Sequence, residues 1–478
     1  MTYLRHPVRS AALGAALGAA LLLAASCGGG DGSSRGPLFS PGGSVAAVNI
    51  TVPADLSTGI GANLVIDVSA TPAAGASVAS VEIQVDGVTV ATTASAPYTT
   101  TVDSTAYASG QHVVRARALD AGGNASDWAK TTVQFSGTRT QPRGFTRNEA
   151  FVTALANATA FAQASDGRLF IAEQGGTLKL AVNGAVQATL LSLTVDAQGE
   201  RGLLGVALHP GFDSNGYIYL YYTATSPTTH NRVSRFTLSG NTAINETILL
   251  ELPTLGATNH NGGAIHFGID GKLYVGVGDN AVGANAQSTT SPLGKVLRLN
   301  DDGTVPTDNP FLNRSGLAQL VWADGLRNPF TFAVQPGSGR IHVNDVGEGS
   351  WEEIDLLAKG ANYGWPDSEG PTTAAGITAP IFAYGHASNP SGPGGFFFGQ
   401  AITGGTFYPS GGAFGAPWGG GYFFGDLIGR FVGFLDVANG NLAYTFGSVS
   451  GQPVDMLAAT DGALLVLTRS AVVRFAKP

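Results

Sequence analysis

The sequence predicts an all-β protein in which a β-sandwich precedes a six-bladed β-propeller. Three observations support this fold class. The 478 residues include 68 glycines and 24 prolines, which break helices and favour tight turns. Residues 45–135 alternate between polar and apolar side chains in short runs. From residue 166 onward, a turn followed by a short β-like run recurs six times.

The composition limits the class of protein. Charged residues make up 12% of the chain and hydrophobic residues 44%, which is too apolar for a disordered protein. The formal net charge is −8, whereas a nucleic-acid partner requires a basic face. We therefore expect a folded protein that has no nucleic-acid partner.

Residues 1–26 have the pattern of a bacterial export signal. The basic residues Arg5 and Arg9 precede an apolar run over residues 11–25. That run is shorter than the roughly 20 residues that a membrane-spanning helix needs. We therefore expect export rather than a transmembrane anchor.

Cys27 is the single cysteine, so the sequence excludes disulfides and Cys-rich zinc sites. The small residues before it resemble the lipobox of bacterial lipoproteins, although Ala24 stands where that motif prefers leucine. The resemblance implies lipid attachment at Cys27 and removal of residues 1–26. The protein would then be a periplasmic, outer-membrane or cell-surface lipoprotein anchored to the membrane by its lipid. An ordinary signal peptide with a nearby cysteine is the alternative.

A sandwich domain is predicted over residues 44–136, between a Gly/Ser/Pro-rich tether (27–43) and a linker (137–144). Period-two runs at residues 62–68, 81–85 and 112–118 are separated by turn signals, as in β-sandwiches. These runs and their turns resemble bacterial immunoglobulin-like modules. The resemblance implies a spacer or a surface-binding unit, and the lack of an aromatic platform favours the spacer.

The repeat predicts six blades over residues 145–478. Its spacing of roughly 40 to 80 residues leaves room for four strands and long loops in each copy. Long loops are where binding and catalytic residues concentrate. The copies begin at Asp166, Gly216, Asp270, Gly339, Gly421 and Asp461.

Three charged or titratable residues each precede the strand run of a different repeat copy. They are Glu200, His260 and Arg327. Loops at equivalent points of propeller blades converge on one mouth of the central channel. We therefore expect these three side chains to lie close together.

Several strings resemble the glucose/sorbosone dehydrogenase family over about residues 150–478. They are ERGLLGVALHPGF, NHNGGAIHFGIDGKLYVGVGDN, GKVLRLNDDGTVPTDNPF, GLRNPFTFAV and KGANYGWP. The family includes soluble quinoprotein glucose dehydrogenase and aldose sugar dehydrogenases. The resemblance implies a six-bladed propeller with calcium and pyrroloquinoline quinone (PQQ). It also implies oxidation of an aldose at C1, with electrons passed to an external acceptor.

The resemblance assigns roles to four residues. His260 matches the general base that takes a proton from the sugar hydroxyl, and a hydrogen-bonded loop histidine is the alternative. Arg327 matches the arginine beside the reacting quinone carbonyl, and Asn328 a neighbouring cofactor contact. Glu200 replaces a glutamine that contacts substrate and cofactor, so it either alters substrate choice or pairs with Arg201 or Arg327. Two further histidines match framework positions, and we interpret them as structural: His209 and His266.

The calcium ligands implied by the resemblance are mainly oxygen atoms of the backbone, which calcium accepts readily. The carbonyls of Gly347 and Glu348 match the ligands of the calcium beside the quinone, although the family has Gly-Pro there. The Glu353 carboxylate and the Tyr363 carbonyl match ligands of a second calcium. A solvated turn containing Glu352 and Glu353 is the alternative.

The sequence departs from the family where PQQ carboxylates are clamped. The soluble glucose enzyme uses a lysine and two arginines, which suit carboxylates by charge and paired donors. The matching residues 423–430 contain no lysine, and residues 451–455 contain no arginine. Arg430 is the single predicted substitute, so the sequence argues against tight PQQ binding.

We therefore expect PQQ- and calcium-dependent oxidation of an aldose or related sugar. A non-catalytic cell-surface propeller that binds carbohydrate or protein is the alternative, favoured by the missing clamp and the immunoglobulin-like module. Hydrolysis in the channel, as in lactonases, would need clustered metal-binding carboxylates that the sequence does not show.

Overall fold

The computed structural model describes residues 45–478. Its helical elements in this range are single turns: α1 Phe212–Asn215, α2 Ala284–Gln287, and 3₁₀ turns at Ser104–Ala106, Gly316–Leu320 and Val437–Asn439. The prediction of an all-β protein is confirmed. None of the described helices has the length and apolar character that crossing a bilayer requires. The predicted export signal, Cys27 and the tether lie outside the described residues.

The immunoglobulin-like module is a sandwich of two sheets. The three-stranded sheet has the order β1-β3-β6, and the five-stranded sheet has the order β2-β8-β7-β4-β5. Side chains such as Ile66, Val81 and Val114 fill the space between the sheets. The strands are β1 Ala46–Val52, β2 Ser57–Ile60, β3 Asn63–Pro72, β4 Ser80–Val85, β5 Val88–Thr93, β6 Tyr98–Asp103, β7 Gly110–Leu119 and β8 Ala129–Phe135.

The following residues form six four-stranded antiparallel sheets within the described part of the chain. The strands of the first three sheets are β10 Ala158–Gln163, β11 Leu169–Glu173, β12 Thr177–Val182 and β13 Ala185–Ser192; β14 Leu203–Leu208, β15 Tyr217–Ala224, β16 His230–Ser239 and β17 Thr242–Thr254; and β18 Ile265–Phe267, β19 Leu273–Val277, β20 Lys295–Leu299 and β21 Val321–Ala323.

The other three sheets complete the set. Their strands are β22 Pro329–Val334, β23 Ile341–Asp345, β24 Trp351–Leu356 and β25 Phe382–Gly385; β26 Ile402–Phe407, β27 Tyr422–Asp426, β28 Phe431–Asp436 and β29 Leu442–Ser448; and β30 Pro453–Ala458, β31 Leu464–Thr468, β32 Val472–Ala476 and β9 Thr146–Val152.

The six sequence repeats are the second strands of the six sheets: β11, β15, β19, β23, β27 and β31. These strands are buried along nearly their whole length. Strands buried on both faces require continuous apolar runs, whereas an outer strand that is exposed on one face, such as β13, alternates. The repeat was visible in the sequence for that reason.

The first strands of the sheets form a closed ring. Each packs against the first strand of the following sheet, and β30 packs against β10. The last sheet is composite, because β9 comes from the start of this region and pairs antiparallel with β32 at its end. The sequence did not predict this closure.

The loops that carry the candidate site residues lie at one end of the ring. Because strands alternate in direction, the loops before each first strand and those between second and third strands emerge at the same end. We call this end the loop face. It carries residues 193–202, 255–264, 278–294, 324–328, 346–350, 427–430 and 469–471.

The immunoglobulin-like module packs directly on the ring. The Gln111 side chain donates to the Ala443 carbonyl at 2.7 Å and accepts from the Phe396 N–H at 2.6 Å. Val113 lies in an apolar cluster with Trp418 and Phe446 of the ring. The two parts therefore share buried polar and apolar contacts.

Candidate active site

His260 is held by a buried carboxylate. Its Nδ1 lies 2.7 Å from Oδ1 of Asp279, which is buried just beyond the end of β19. Asp279 also accepts hydrogen bonds from the Ala281 N–H at 2.7 Å and the Trp365 Nε1–H at 2.8 Å. An ionised carboxylate only accepts, so the imidazole proton sits on Nδ1. The Nε2 atom keeps its lone pair and has no hydrogen-bond partner within residues 45–478.

The backbone at His260 has φ +55°, a left-handed conformation that is uncommon for residues other than glycine. Gly278 permits the loop to pass this closely. A Cβ atom there would lie 2.2 Å from the His260 carbonyl oxygen. Packing around the loop therefore fixes His260 in an uncommon conformation at the loop face.

Glu200 joins three of the loops. Its Oε2 accepts from the backbone N–H groups of His260 at 2.8 Å and Asn261 at 3.4 Å, and from Nδ2 of Asn328 at 3.2 Å. The alternative in which Glu200 pairs with Arg201 or Arg327 does not match the structure, which has no such ion pair within residues 45–478. Arg201 instead forms a salt bridge with Asp196 at 2.7 Å, because both lie in the same loop.

Arg327 and Asn328 are positioned by Asp345 at the end of β23. Their backbone N–H groups donate to its carboxylate at 2.9 and 2.7 Å. The Asn328 side-chain oxygen accepts from the Gly262 N–H at 3.0 Å, which ties this loop to that of His260. Burial raises the pKa of Asp345 to about 7, although these N–H groups and the Arg327 charge oppose the rise.

The Arg327 guanidinium is held in place, but not all of its N–H donors have a partner in the described structure. It donates from Nη1 to the Val346 carbonyl at 3.0 Å and lies over the Trp365 ring at 5.4 Å. Its Nε–H is buried and has no partner in the described structure. The structure therefore joins Glu200, His260, Arg327 and Asn328 in one hydrogen-bonded group, partly through their backbone N–H groups.

Acidic residues at or just after the ends of second strands recur as loop anchors. Glu173, Asp279, Asp345 and Asp426 each accept hydrogen bonds from the loop that precedes the first strand of their own sheet. Sequence reasoning missed this role. The signal was present, because the acidic residue follows the apolar run in four of the six repeat copies.

The loop of Gly347 and Glu348 is organised by Glu369. One Glu369 oxygen accepts from the N–H groups of four consecutive residues, 348–351, at 2.9 to 3.2 Å. Burial raises and the four hydrogen bonds lower the pKa of Glu369, with a net decrease. The carbonyls of Gly347, Glu348 and Tyr363 accept no hydrogen bond from the described residues.

Glu353 lies in a small cavity of about 240 Å³ of empty space, which Arg327, Gly347 and Tyr363 also line. It accepts a hydrogen bond from the Gly370 N–H. Burial, followed by the neighbouring Asp345, raises the pKa of Glu353 to about 8. The solvated-turn alternative is wrong, because Glu352 and Glu353 are both buried.

Asp355 adds a second buried carboxyl group close to Glu353. Both of its carboxylate oxygens are buried without a partner in residues 45–478. Burial, and then Glu353, raise its pKa well above the ordinary value. No group of three or more His, Cys, Asp or Glu side chains in the described range is arranged to hold a metal ion. A metal here would therefore depend on backbone carbonyls together with Glu353.

A second cavity lies in the centre of the ring and contains about 530 Å³ of empty space. Its lining includes Glu200, His266, Asp455 and Arg469. Arg430 is absent from the lining; its side chain is exposed and donates to the Ser450 carbonyl at 3.2 Å. This position gives no support to the expectation that Arg430 replaces the missing cationic residues that would bind the PQQ carboxylates. Sequence reasoning did not consider Arg469 for that role.

The two framework histidines have local partners. His209 Nδ1 accepts from the Gly211 N–H at 2.9 Å. His266 packs edge-on against Phe332 with ring centroids 4.9 Å apart, and burial lowers its pKa to about 4. Both positions agree with a structural role.

Comparison with known proteins identifies the family. The model of the family "Glucose / Sorbosone dehydrogenase" matches residues 155–476, and that of the bacterial Ig domain matches residues 47–116. The chain belongs to the glucose/sorbosone dehydrogenase family. The match covers the whole ring of sheets except β9, including every residue of the hydrogen-bonded group around His260.

Relatives within the glucose/sorbosone dehydrogenase family include two named enzymes. Aldose sugar dehydrogenase YliI of Escherichia coli is 35% identical over 218 residues, which cover 44% of this chain and 58% of the relative. Quinoprotein glucose dehydrogenase B of Acinetobacter calcoaceticus is 32% identical over 239 residues, covering 43% and 49%. The chain thus spans about half the length of these enzymes.

Two further similarities bear on fold and function. The apo structure of the soluble aldose sugar dehydrogenase of E. coli matches with a TM-score of 0.61 at 28% identity, covering 70% of this chain and all of that one. Human Hedgehog-interacting protein is 31% identical over 208 residues, covering 37% of this chain and 30% of that protein.

Proposed function

We propose that this protein is an exported oxidoreductase with a six-bladed propeller over residues 145–478 and an immunoglobulin-like module over residues 44–136. It oxidises an aldose or a related sugar at a carbon that bears a hydroxyl group, and electrons pass to an external acceptor. The central observation is the hydrogen-bond chain from Trp365 through Asp279 to His260. Arg327 lies over the Trp365 ring at one end of this chain, and Glu200 accepts from the His260 backbone N–H at the other. The names of the two related enzymes support this substrate class.

His260 acts as the base. Asp279 holds the proton on Nδ1, so the Nε2 lone pair is available to accept the proton of a sugar hydroxyl. The carboxylate also stabilises the imidazolium that forms when the proton is taken up. Loss of that proton makes the adjacent C–H bond a hydride donor. A bound PQQ would supply the two-electron acceptor for this hydride.

Arg327 provides a fixed positive charge over Trp365, whose indole N–H donates to the same Asp279 carboxylate that holds His260. The Val346 carbonyl and the Trp365 ring hold its guanidinium, while the Nε–H remains unpaired. Preorganised donors of this kind stabilise negative charge that develops on an oxygen atom. Asn328 and Glu200 keep the Arg327 and His260 loops together, and Glu200 also lines the central cavity.

Calcium fits the donor set of the Gly347 loop. The carbonyls of Gly347, Glu348 and Tyr363 are unpaired within the described residues, and Glu353 adds a carboxylate. Hard oxygen donors suit calcium, and a cation would favour the ionised forms of Glu353 and Asp355, whose pKa values burial raises. We assign Gly347 and Glu348 to a calcium beside the quinone, and Glu353 and Tyr363 to a second calcium.

The test is reconstitution of the purified protein with PQQ and calcium, followed by dye-coupled assays over a panel of sugars. We expect turnover on at least one aldose and none in His260→Ala. We also expect a rise in melting temperature that depends on both additions. Absence of turnover on every sugar, together with no cofactor-dependent thermal shift, would reject the proposal.

A non-catalytic propeller that binds carbohydrate or protein is the second candidate. Similarity to Hedgehog-interacting protein and the incomplete cationic clamp favour it. In a binding protein, His260→Ala should leave ligand affinity largely intact, and the wild type should show no turnover. Glycan-array binding by the wild type, measured beside the dye assay, distinguishes the two candidates.

Export and lipid attachment at Cys27 belong to the same proposal. They rest on the basic and apolar pattern of residues 1–26 and the small residues before Cys27. Labelled palmitate should be incorporated by wild-type cells and not by cells that express Cys27→Ala. Equal labelling of both proteins would contradict lipid attachment at this residue.

A further inference from the structure

The lining of the central cavity includes a cation, Arg469, whose side chain has no hydrogen bond or ion pair in the described structure. Arg469 lies in the turn between β31 and β32, at the loop face. Its guanidinium makes no hydrogen bond or salt bridge with any described residue. Its backbone is fixed, because the N–H donates to the Gln452 carbonyl at 3.2 Å and the carbonyl accepts from the Ala158 N–H at 2.9 Å. A rigid backbone therefore presents a free guanidinium to the cavity.

The carboxylates nearby are occupied by other groups. Glu200 lines the same cavity and attracts Arg469 electrostatically, but no salt bridge joins the two side chains, and Oε2 of Glu200 already accepts from three donors. Asp455 accepts from the N–H groups of Phe161 at 3.1 Å and Met456 at 2.8 Å. Partial burial of a charge that lacks a fixed partner is unfavourable, so this position favours an anionic ligand.

Arg430, the residue that the sequence predicted to bind a PQQ carboxylate, differs from Arg469 in its position and in having a hydrogen-bond partner. It is exposed outside the cavity, and it already donates to the Ser450 carbonyl. An arginine offers paired donors in a plane that match a carboxylate group. PQQ carries three carboxylates. Resting on the proposed function, we propose that Arg469, and not Arg430, binds a carboxylate of the quinone cofactor.

The experiment is isothermal titration of the calcium-loaded protein with PQQ. It compares wild type, Arg469→Ala, Arg469→Lys and the matched control Arg430→Ala. Benzene-1,3,5-tricarboxylate, which carries the same carboxylates without a quinone, is a second probe. We expect Arg469→Ala to weaken both ligands by roughly 10- to 100-fold, the usual value of hydrogen bonds to a charged group. Arg469→Lys should recover part of the affinity, and Arg430→Ala should change it by less than about twofold.

Three results would overturn the inference: an unchanged affinity in Arg469→Ala, a large loss in Arg430→Ala alone, or no binding of either probe to the wild type. Unchanged melting temperatures of the variants without ligand show that the effect is not unfolding. If both probes bind through Arg469 but no sugar reduces bound PQQ, the inference stands and the proposed function fails. If PQQ binds and is reduced equally well in Arg469→Ala, the proposed function stands and the inference fails.

Discussion

The contacts of Asp279 explain how one residue determines the chemistry of another. Its carboxylate accepts from His260, Ala281 and Trp365, which fixes both the imidazole ring and its tautomer. Trp365 lies 86 residues away in the chain. The sequence suggested the proposed base, His260, through its motif, but the carboxylate that orients it became visible only when distant loops were placed together.

Asp279→Asn tests this orientation. An asparagine amide can donate to Nδ1 and leave the proton on Nε2, the wrong tautomer for a base. We expect kcat to fall by about 10²- to 10⁴-fold while PQQ affinity changes little. Stopped-flow and steady-state assays measure the loss. Asp426→Asn, at the equivalent strand end of another sheet, is the control, and an equal loss of kcat in both variants would contradict the specific role of Asp279.

His342 gives a pH prediction that is independent of the reaction. It is buried between Phe407 and Tyr422, and its Nδ1 has no partner among the described residues. Burial lowers its pKa to about 4 from an ordinary value of 6.5. The unfolded chain therefore binds a proton more readily, so the free energy of unfolding should decrease as the pH falls through this range, by at most about 3 kcal/mol for this residue.

His342→Phe should remove the part of the pH dependence of the free energy of unfolding that His342 contributes. Phenylalanine keeps an aromatic ring in the site and has no nitrogen to protonate. Urea unfolding between pH 7 and 4 compares the variant with the wild type. If the free energy of unfolding falls equally with pH in the two proteins, His342 does not contribute to the loss of stability at low pH.

At the scale of elements, the turn between β23 and β24 depends on a residue outside it. Glu369 accepts from the N–H groups of residues 348–351 and so fixes the orientation of that backbone. The sequence identified the turn by its resemblance, but nothing near residue 369 indicated the contact. Loop-to-loop contacts of this kind have no periodic pattern along the chain.

Glu369→Gln should loosen this turn. The amide has one weaker acceptor in place of the charged oxygen that now takes four hydrogen bonds. We expect faster amide hydrogen exchange at residues 348–351 and a calcium affinity reduced by roughly 5- to 50-fold. Asp367→Asn removes a charge from the same segment at an exposed position and should change neither quantity. Equal effects of both substitutions would indicate a general charge effect.

At the scale of the whole molecule, the sequence predicted the number of repeats because each second strand is a continuous apolar run. It did not predict that β9 closes the ring by pairing with β32, since these strands lie more than 300 residues apart and β9 has the alternating pattern of a strand that is exposed on one face. It also gave no sign that the immunoglobulin-like module packs on the ring. The residues involved, such as Gln111 and Val113, belong to an ordinary strand pattern.

Gln111→Ala tests the docking of the module. The change leaves the Ala443 carbonyl and the Phe396 N–H without their partner, which costs about 1–3 kcal/mol in the free energy of unfolding. Gln134, its cross-strand neighbour on β8, provides the matched control as Gln134→Ala. Urea unfolding followed by tryptophan fluorescence measures both. No change in Gln111→Ala, or the same loss in the control, would contradict a docked module.

The central claim is that His260 removes the proton of a sugar whose hydride passes to a quinone at the same loop face. Anaerobic mixing of the PQQ- and calcium-loaded protein with an aldose, followed through the absorbance of the bound quinone, tests it most directly. We predict rapid reduction in the wild type, and in His260→Ala a normal content of bound quinone that stays oxidised. Reduction at the wild-type rate in His260→Ala, or an unreduced quinone in the wild type with every aldose, would contradict the claim.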